Sequence, residues 1–127
     1  MSHGKFATAI NCIDGRCQVP VSAWMKEHFG IDYVDRITEP GPDKVLSGGS
    51  AENIESIKRK VMVSVNAHKS RVIAIAAHHD CAGNPVSMED HWEQLRKCVV
   101  IVKSWKLPVK VVGLWVNEEW NVEVVDA

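Results

Sequence analysis

Cys12, His78 and Cys81 offer two thiolates and an imidazole, a soft donor set suited to Zn²⁺ in tetrahedral coordination. The His-x-x-Cys spacing of residues 78 and 81 lets one turn wrap a metal ion, while Cys12 has to arrive from elsewhere in the fold. Three protein ligands leave a fourth position open, the mark of a catalytic rather than a structural zinc site. Zinc at such a site lowers the pKa of bound water from 15.7 to roughly 7. Asp14 and Arg16 follow Cys12 by two and four residues. A carboxylate so near would compete for the open position unless something held it, and a guanidinium holds a carboxylate well through paired hydrogen bonds. Asp14, so held, is expected to accept a hydrogen bond from the bound water and orient it toward an electrophile. Gly15 is expected to free the backbone for the tight turn between them.

Plainer uses compete for the same residues. A free cysteine is usually a small buried hydrophobe. Cys12 and Cys17 could form a redox pair, although their spacing is not Cys-x-x-Cys. Cys98, beside Val99, is expected to pack. Asp14 and Arg16 could be an ordinary surface ion pair. His79 could shuttle protons or support a ligand, with plain exposure the favoured reading. Asp80 is expected to hydrogen-bond within its own turn, and His28, His68 and His91 to be solvated on helices. Ser47–Ser50 reads as a helix cap.

The elements that must position these residues follow from the hydrophobic pattern. Phe6–Cys12 reads as a buried strand. Pro20 reads as the first turn of a helix whose apolar stripe is Val21, Trp24, Met25 and Phe29, stopped by Gly30. Ile31–Ile37 reads as a second strand, and the prolines of Glu39-Pro40-Gly41-Pro42 argue against regular structure there. Ser50 caps a helix with Ile54, Ile57, Val61 and Val65 at helical spacing, ending near His68. Arg71–Ala77 is the clearest buried strand, followed by a loop over 78–87. Met88, Trp92, Leu95, Val99 and Val102 define a third helix. Val109–Val116 and Trp120–Val125 read as strands joined by Asn117-Glu118-Glu119.

This order predicts an α/β fold in three αβα layers, its central sheet mostly parallel, with strand order 2-1-3-4-5 and the last strand antiparallel. The first and third strands then lie side by side with their helices leaving toward opposite faces. A crevice opens between their carboxyl ends, where such folds bind ligands. Cys12 ends one of these strands and His78 directly follows the other, so topology and donor chemistry meet at one place.

Composition sets the bounds. The 127 residues carry 15 basic and 16 acidic side chains, a net charge of −1 that lacks the basic footprint of a nucleic-acid binder or polybasic membrane anchor. Hydrophobic residues make up 46% and charged ones 24%, as in ordinary globular folds. Met1-Ser2-His3-Gly4-Lys5 lacks a leader's apolar core, and no apolar run nears the roughly 20 residues that cross a bilayer. The expectation is a cytoplasmic chain in which four cysteines serve as thiols rather than as a disulfide scaffold. Five tryptophans, at 24, 92, 105, 115 and 120, exceed what so small a core needs, and some are expected at a dimer contact.

Cys12-x-Asp14-x-Arg16 together with His78-x-x-Cys81 resembles the signature of the β-class carbonic anhydrases. Ala76–Cys81 is similar to that family's strand-ending Gly-His-x-Asp-Cys segment. Ala51–Val65 falls where the family has the preceding helix, and 112–116 with 120–125 resembles its closing hairpin. Gly15 stands in place of the usual Ser, Ala82 where Gly is common, and Arg36–Gly41 only loosely matches the family's Arg-Asn-Ala-Gly loop. The resemblance implies one such domain over residues 1–127 and a zinc enzyme that hydrates CO₂ to bicarbonate and a proton. Cys12, His78 and Cys81 would be its ligands and Asp14 and Arg16 its orienting pair, in a homodimer or higher homo-oligomer. Two alternatives keep the same site: hydrolysis of carbonyl sulfide or carbon disulfide, and a zinc-binding domain without catalysis.

Overall fold

The computed structural model describes residues 4–127, so Met1, Ser2 and His3 of the leader reading lie outside it. The chain runs β1 (Phe6–Cys12), α1 (Gly15–Phe29), β2 (Tyr33–Glu39), α2 (Pro42–Gly48), α3 (Ala51–Ala67), β3 (Val72–His78), α4 (Met88–Lys103), β4 (Lys110–Val116) and β5 (Val122–Asp126). The sheet order is β2-β1-β3-β4-β5, parallel until β5 pairs antiparallel with β4. This is the expected α/β topology.

Side-chain alternation along the two central strands explains how the layers pack. Ala7, Ala9, Ala74 and Ala76 face α1, where Cys17, Val21 and Met25 meet them. Small residues on that face let the helix lie close to the sheet. Ile10, Ile73 and Ile75 point the other way into a larger core with Leu46 of α2, Ile57 and Val61 of α3, and Leu95 and Val99 of α4. Buried branched aliphatics of this kind each contribute roughly 1.5–3 kcal/mol relative to exposure. None of the helices among the described residues is long and apolar enough to cross a membrane.

Four local readings need correction. Helix α1 starts at Gly15 rather than near Pro20, because Asp14 is its N-cap and accepts the Arg16 backbone N–H. Pro20 therefore sits inside the helix and removes one intrahelical donor. Gly15 is not required by a turn: a Cβ there would meet nothing within 4 Å, and the sharp change of direction is made by Asp14. A helix, α2, occupies part of the segment read as irregular, since Gly41 at φ 61° redirects the chain and Pro42 opens the helix, as prolines favour. Strand β2 lies two residues later than read, which pairs Glu39 with Cys12 and delivers Pro40 and Gly41 beside the strand end.

Candidate metal centre

Strands β1 and β3 are hydrogen-bonded neighbours, and they end on Cys12 and His78. Cys81 returns after a turn in which Asp80 takes φ 58°, tolerable for Asp, while the His79 N–H donates to the Val116 carbonyl at 2.8 Å. Beyond β1, Gln18 Nε2 donates to the Cys12 and Ile13 carbonyls at 3.2 and 3.1 Å, fixing where the strand gives way to α1.

These elements bring the Cys12, His78 and Cys81 donor atoms within 4.8 Å of one another, all three residues buried. The sulfurs lie 3.8 Å apart, the edge expected of a tetrahedron whose centre is about 2.3 Å from each. His78 donates from Nδ1 to the His79 carbonyl at 2.6 Å, which turns the Nε2 lone pair toward the sulfurs. That Nε2 is buried and has no hydrogen-bond partner. A buried, orphaned imidazole nitrogen facing two thiols costs free energy unless something binds there. The three residues therefore fit a soft divalent ion such as Zn²⁺.

Electrostatics prepare the same donors. The Cys81 thiol hydrogen-bonded to Cys12 lowers the Cys12 pKa to about 4; burial opposes this, and His78 and the backbone N–H groups of Gly41 and Asp14 add to it. Cys81, bound to that thiolate and buried, is correspondingly raised. For His78, burial disfavours the charged form, but the Cys12 sulfur, the His79 carbonyl and the Asp14 carboxylate outweigh it and raise the pKa.

Asp14 and Arg16 stand at the rim. Arg16 donates from Nη2 to Asp14 Oδ2 at 2.7 Å and from Nε to Oδ1 at 3.0 Å, while its backbone N–H reaches Oδ1 at 2.9 Å. These bonds hold the Asp14 carboxyl down to about 2. Asp14 Oδ2 nevertheless lies 3.9 Å from His78 Nε2, beside the three donors and not among them. Asp80 does not bond within its own turn; its Oδ2 and carbonyl accept from Arg16 at 3.3 and 3.2 Å. The Trp120 ring lies 4.7 Å from Arg16 Cζ. The sequence offers Trp120 only as one of five tryptophans and as the start of a strand, whereas it lies in the turn before β5. The acidic neighbour of Cys81 was the available signal for Asp80.

The other candidates fall elsewhere. His79 is exposed and turned edgewise to Trp120. Cys17 is buried and points its thiol at the Asp14 carbonyl, 3.1 Å away, and burial raises it to about 12. All four cysteines are free. Cys98 is packed in the larger core. His28 stacks on Trp24, and His68 pairs with Asp35 at 2.7 Å, both on exposed surface. Ser50 caps α3. His91, by contrast, is not solvated: it is 2% exposed and bonded to the fully buried Asp43 at 2.5 Å.

Two glycines close the loops around the centre. A Cβ on Gly41 would lie 2.9 Å from the Gly83 carbonyl carbon, and one on Gly83 would lie 2.7 Å from the Pro40 carbonyl carbon. Gly41→Ala and Gly83→Ala are each expected to cost about 1–3 kcal/mol in urea unfolding. Both should also weaken metal uptake, because the 40–41 and 81–84 loops must separate. Gly15→Ala, with open space around it, should change stability by no more than about 1 kcal/mol.

A family model described as "Putative carbonic anhydrase" matches residues 2–126. Comparison with curated proteins finds no match. Among solved structures, a carbonic anhydrase from Glaciozyma antarctica is similar at TM-score 0.59 and 16% identity, over 93% of this chain and 80% of that one. One of two tetrameric beta-carbonic anhydrases from Sordaria macrospora gives TM-score 0.56 and 13% identity, covering 98% and 81%. A β-carbonic anhydrase of Aspergillus fumigatus gives TM-score 0.55 and 14% identity, covering 97% and 76%. At these identities the structural likeness is one of fold.

Proposed function

The chain belongs to the carbonic anhydrase family whose model spans residues 2–126, and from that premise we propose that it hydrates CO₂ to bicarbonate and a proton at a zinc ion held by Cys12, His78 and Cys81. The observation that carries this reading is the buried trio of donors with an unpartnered His78 Nε2, set directly beside a clamped carboxylate. When bound, zinc supplies the Lewis acidity that makes hydroxide available near neutral pH.

The chain's own residues do the rest. Asp14, held near 2, is an anion throughout the working range and can only accept a hydrogen bond. An oxygen nucleophile that donates its single proton to Asp14 must present a lone pair elsewhere, and that lone pair is aimed at the carbon of CO₂. Arg16 occupies both Asp14 oxygens and keeps the carboxylate from swinging into the donor cluster. The proton lost in regenerating the nucleophile leaves through the open rim to solvent and buffer. The tetrameric assembly named for the Sordaria macrospora enzymes supports a homo-oligomer here too, and we take residues 1–127 as one domain.

Metal analysis with stopped-flow CO₂ hydration tests the proposal. Close to one zinc per chain is expected, with hydration falling to background after chelation and returning on addition of zinc. A zinc-loaded protein that fails to hydrate CO₂ would overturn the reading, and sulfide released from carbon disulfide by such a protein would move the assignment to hydrolysis.

A further inference from the structure

The hairpin joining β4 to β5 holds Trp120 at φ 61°, a backbone state that bulky L-residues seldom adopt. Asn117 enforces it. Its side-chain oxygen accepts the N–H groups of Glu119 and Asn121 at 3.0 and 3.1 Å, its amide donates to Glu123 at 2.8 Å, and its carbonyl accepts the Trp120 N–H at 2.9 Å. Glycine or asparagine would satisfy the same turn without strain, so turn formation alone does not account for an indole at this position.

Its placement does. The indole face lies 4.7 Å from Arg16 Cζ, and the ring sits 6.1 Å from the His78 ring. Arg16 is otherwise half exposed, a long side chain with several rotamers open to it. Asp14 and Asp80 hold its edges, and Trp120 alone among the described contacts covers a face. Guanidinium planes stack well on aromatic rings, and the contact restricts the swing that edge bonds leave free.

We propose that Trp120 is a positioning residue, whose indole pins Arg16 flat so that Arg16 keeps the Asp14 carboxylate fixed beside the Cys12, His78 and Cys81 donors. The consequence for turnover rests on the function proposed above; the clamp itself does not.

The test compares Trp120→Gly, which removes the indole while relaxing the turn, with Trp120→Phe, which keeps an aromatic face. Exchange of the Arg16 Nε–H with water, followed by ¹⁵N NMR on arginine-labelled protein, is the primary readout. In Trp120→Gly it should be about fivefold faster, the size of an exposed cation–π contact, with the thermal midpoint unchanged or raised. Trp120→Phe should stay near wild type. In zinc-loaded protein the Gly variant should lose kcat for CO₂ hydration with KM little changed, and the Phe variant should recover it. Wild-type Nε–H exchange in Trp120→Gly would overturn the proposal. If the wild-type protein hydrates no CO₂, the proposed function falls, while the exchange comparison still decides whether the clamp exists.

Discussion

Cys81→Ser is expected to abolish stoichiometric zinc binding in a protein that stays folded. A neutral hydroxyl replaces a thiolate poorly, and Cys81 is one of three buried donors within 4.8 Å of one another. Losing a supporting partner outside a metal's ligands already costs roughly 10–100-fold in affinity, so losing a ligand should exceed that range. Competition with a chromophoric chelator measures it. Cys98→Ser is the control, because Cys98 lies in the core with its thiol on the Asp43 carbonyl at 3.3 Å. An unchanged zinc affinity in Cys81→Ser would mean the donor trio does not hold the ion. The same titration has a definite pH sign. Cys12 is a thiolate at neutral pH, but the Cys81 thiol, bonded to it and buried, is shifted upward and holds a proton that a metal must displace. Affinity should therefore weaken as pH falls, by about tenfold per pH unit for each proton released.

The second large effect lies away from the metal donors. Asp43 lies in the first turn of α2 and is wholly buried, and His91 of α4 is its partner at 2.5 Å. His91→Leu leaves a carboxylate in the core with its other oxygen already unpartnered. Removing one member of a buried pair costs roughly 3–5 kcal/mol, measurable as a lowered urea midpoint. Replacing both residues, Asp43→Leu with His91→Leu, should recover much of that loss, because no uncompensated charge remains. A single variant as stable as wild type would show that the pair contributes nothing net. Because α2 begins at the residue after Gly41, whose N–H meets the Cys12 sulfur, the single variant should also loosen that loop.

The strands and their order were legible in the sequence for a physical reason. Phe6–Cys12 and the strand ending at His78 are continuous apolar runs, as strands covered on both faces must be. Cys12 and His78 end those runs, so topology alone brought them together. Helix α2 was hidden because Pro40 and Pro42 read alike as breakers, whereas the second is a helix opener placed by the left-handed Gly41. His91 was misread from its polarity; its spacing of four from Leu95 and seven from Cys98 put it on the buried stripe, and Met88, counted in that stripe, is exposed instead. Asp14 was seen as a partner of Arg16 but not as the cap of α1, although one carboxylate does both. Trp120 reaches Arg16 across more than a hundred residues of sequence, a proximity that periodicity does not encode.

The three donors are rooted at the ends of two neighbouring parallel strands and in the turn after one of them; Cys12 is paired with Glu39 of β2 and His78 with Val116 of β4, so the sheet holds the strand ends in place. Zinc fingers, too small to build a core of their own, collapse when stripped of their ion. A frame of this kind can lose its ion and keep its shape, which lets one divalent ion be exchanged for another without a cycle of unfolding and repair.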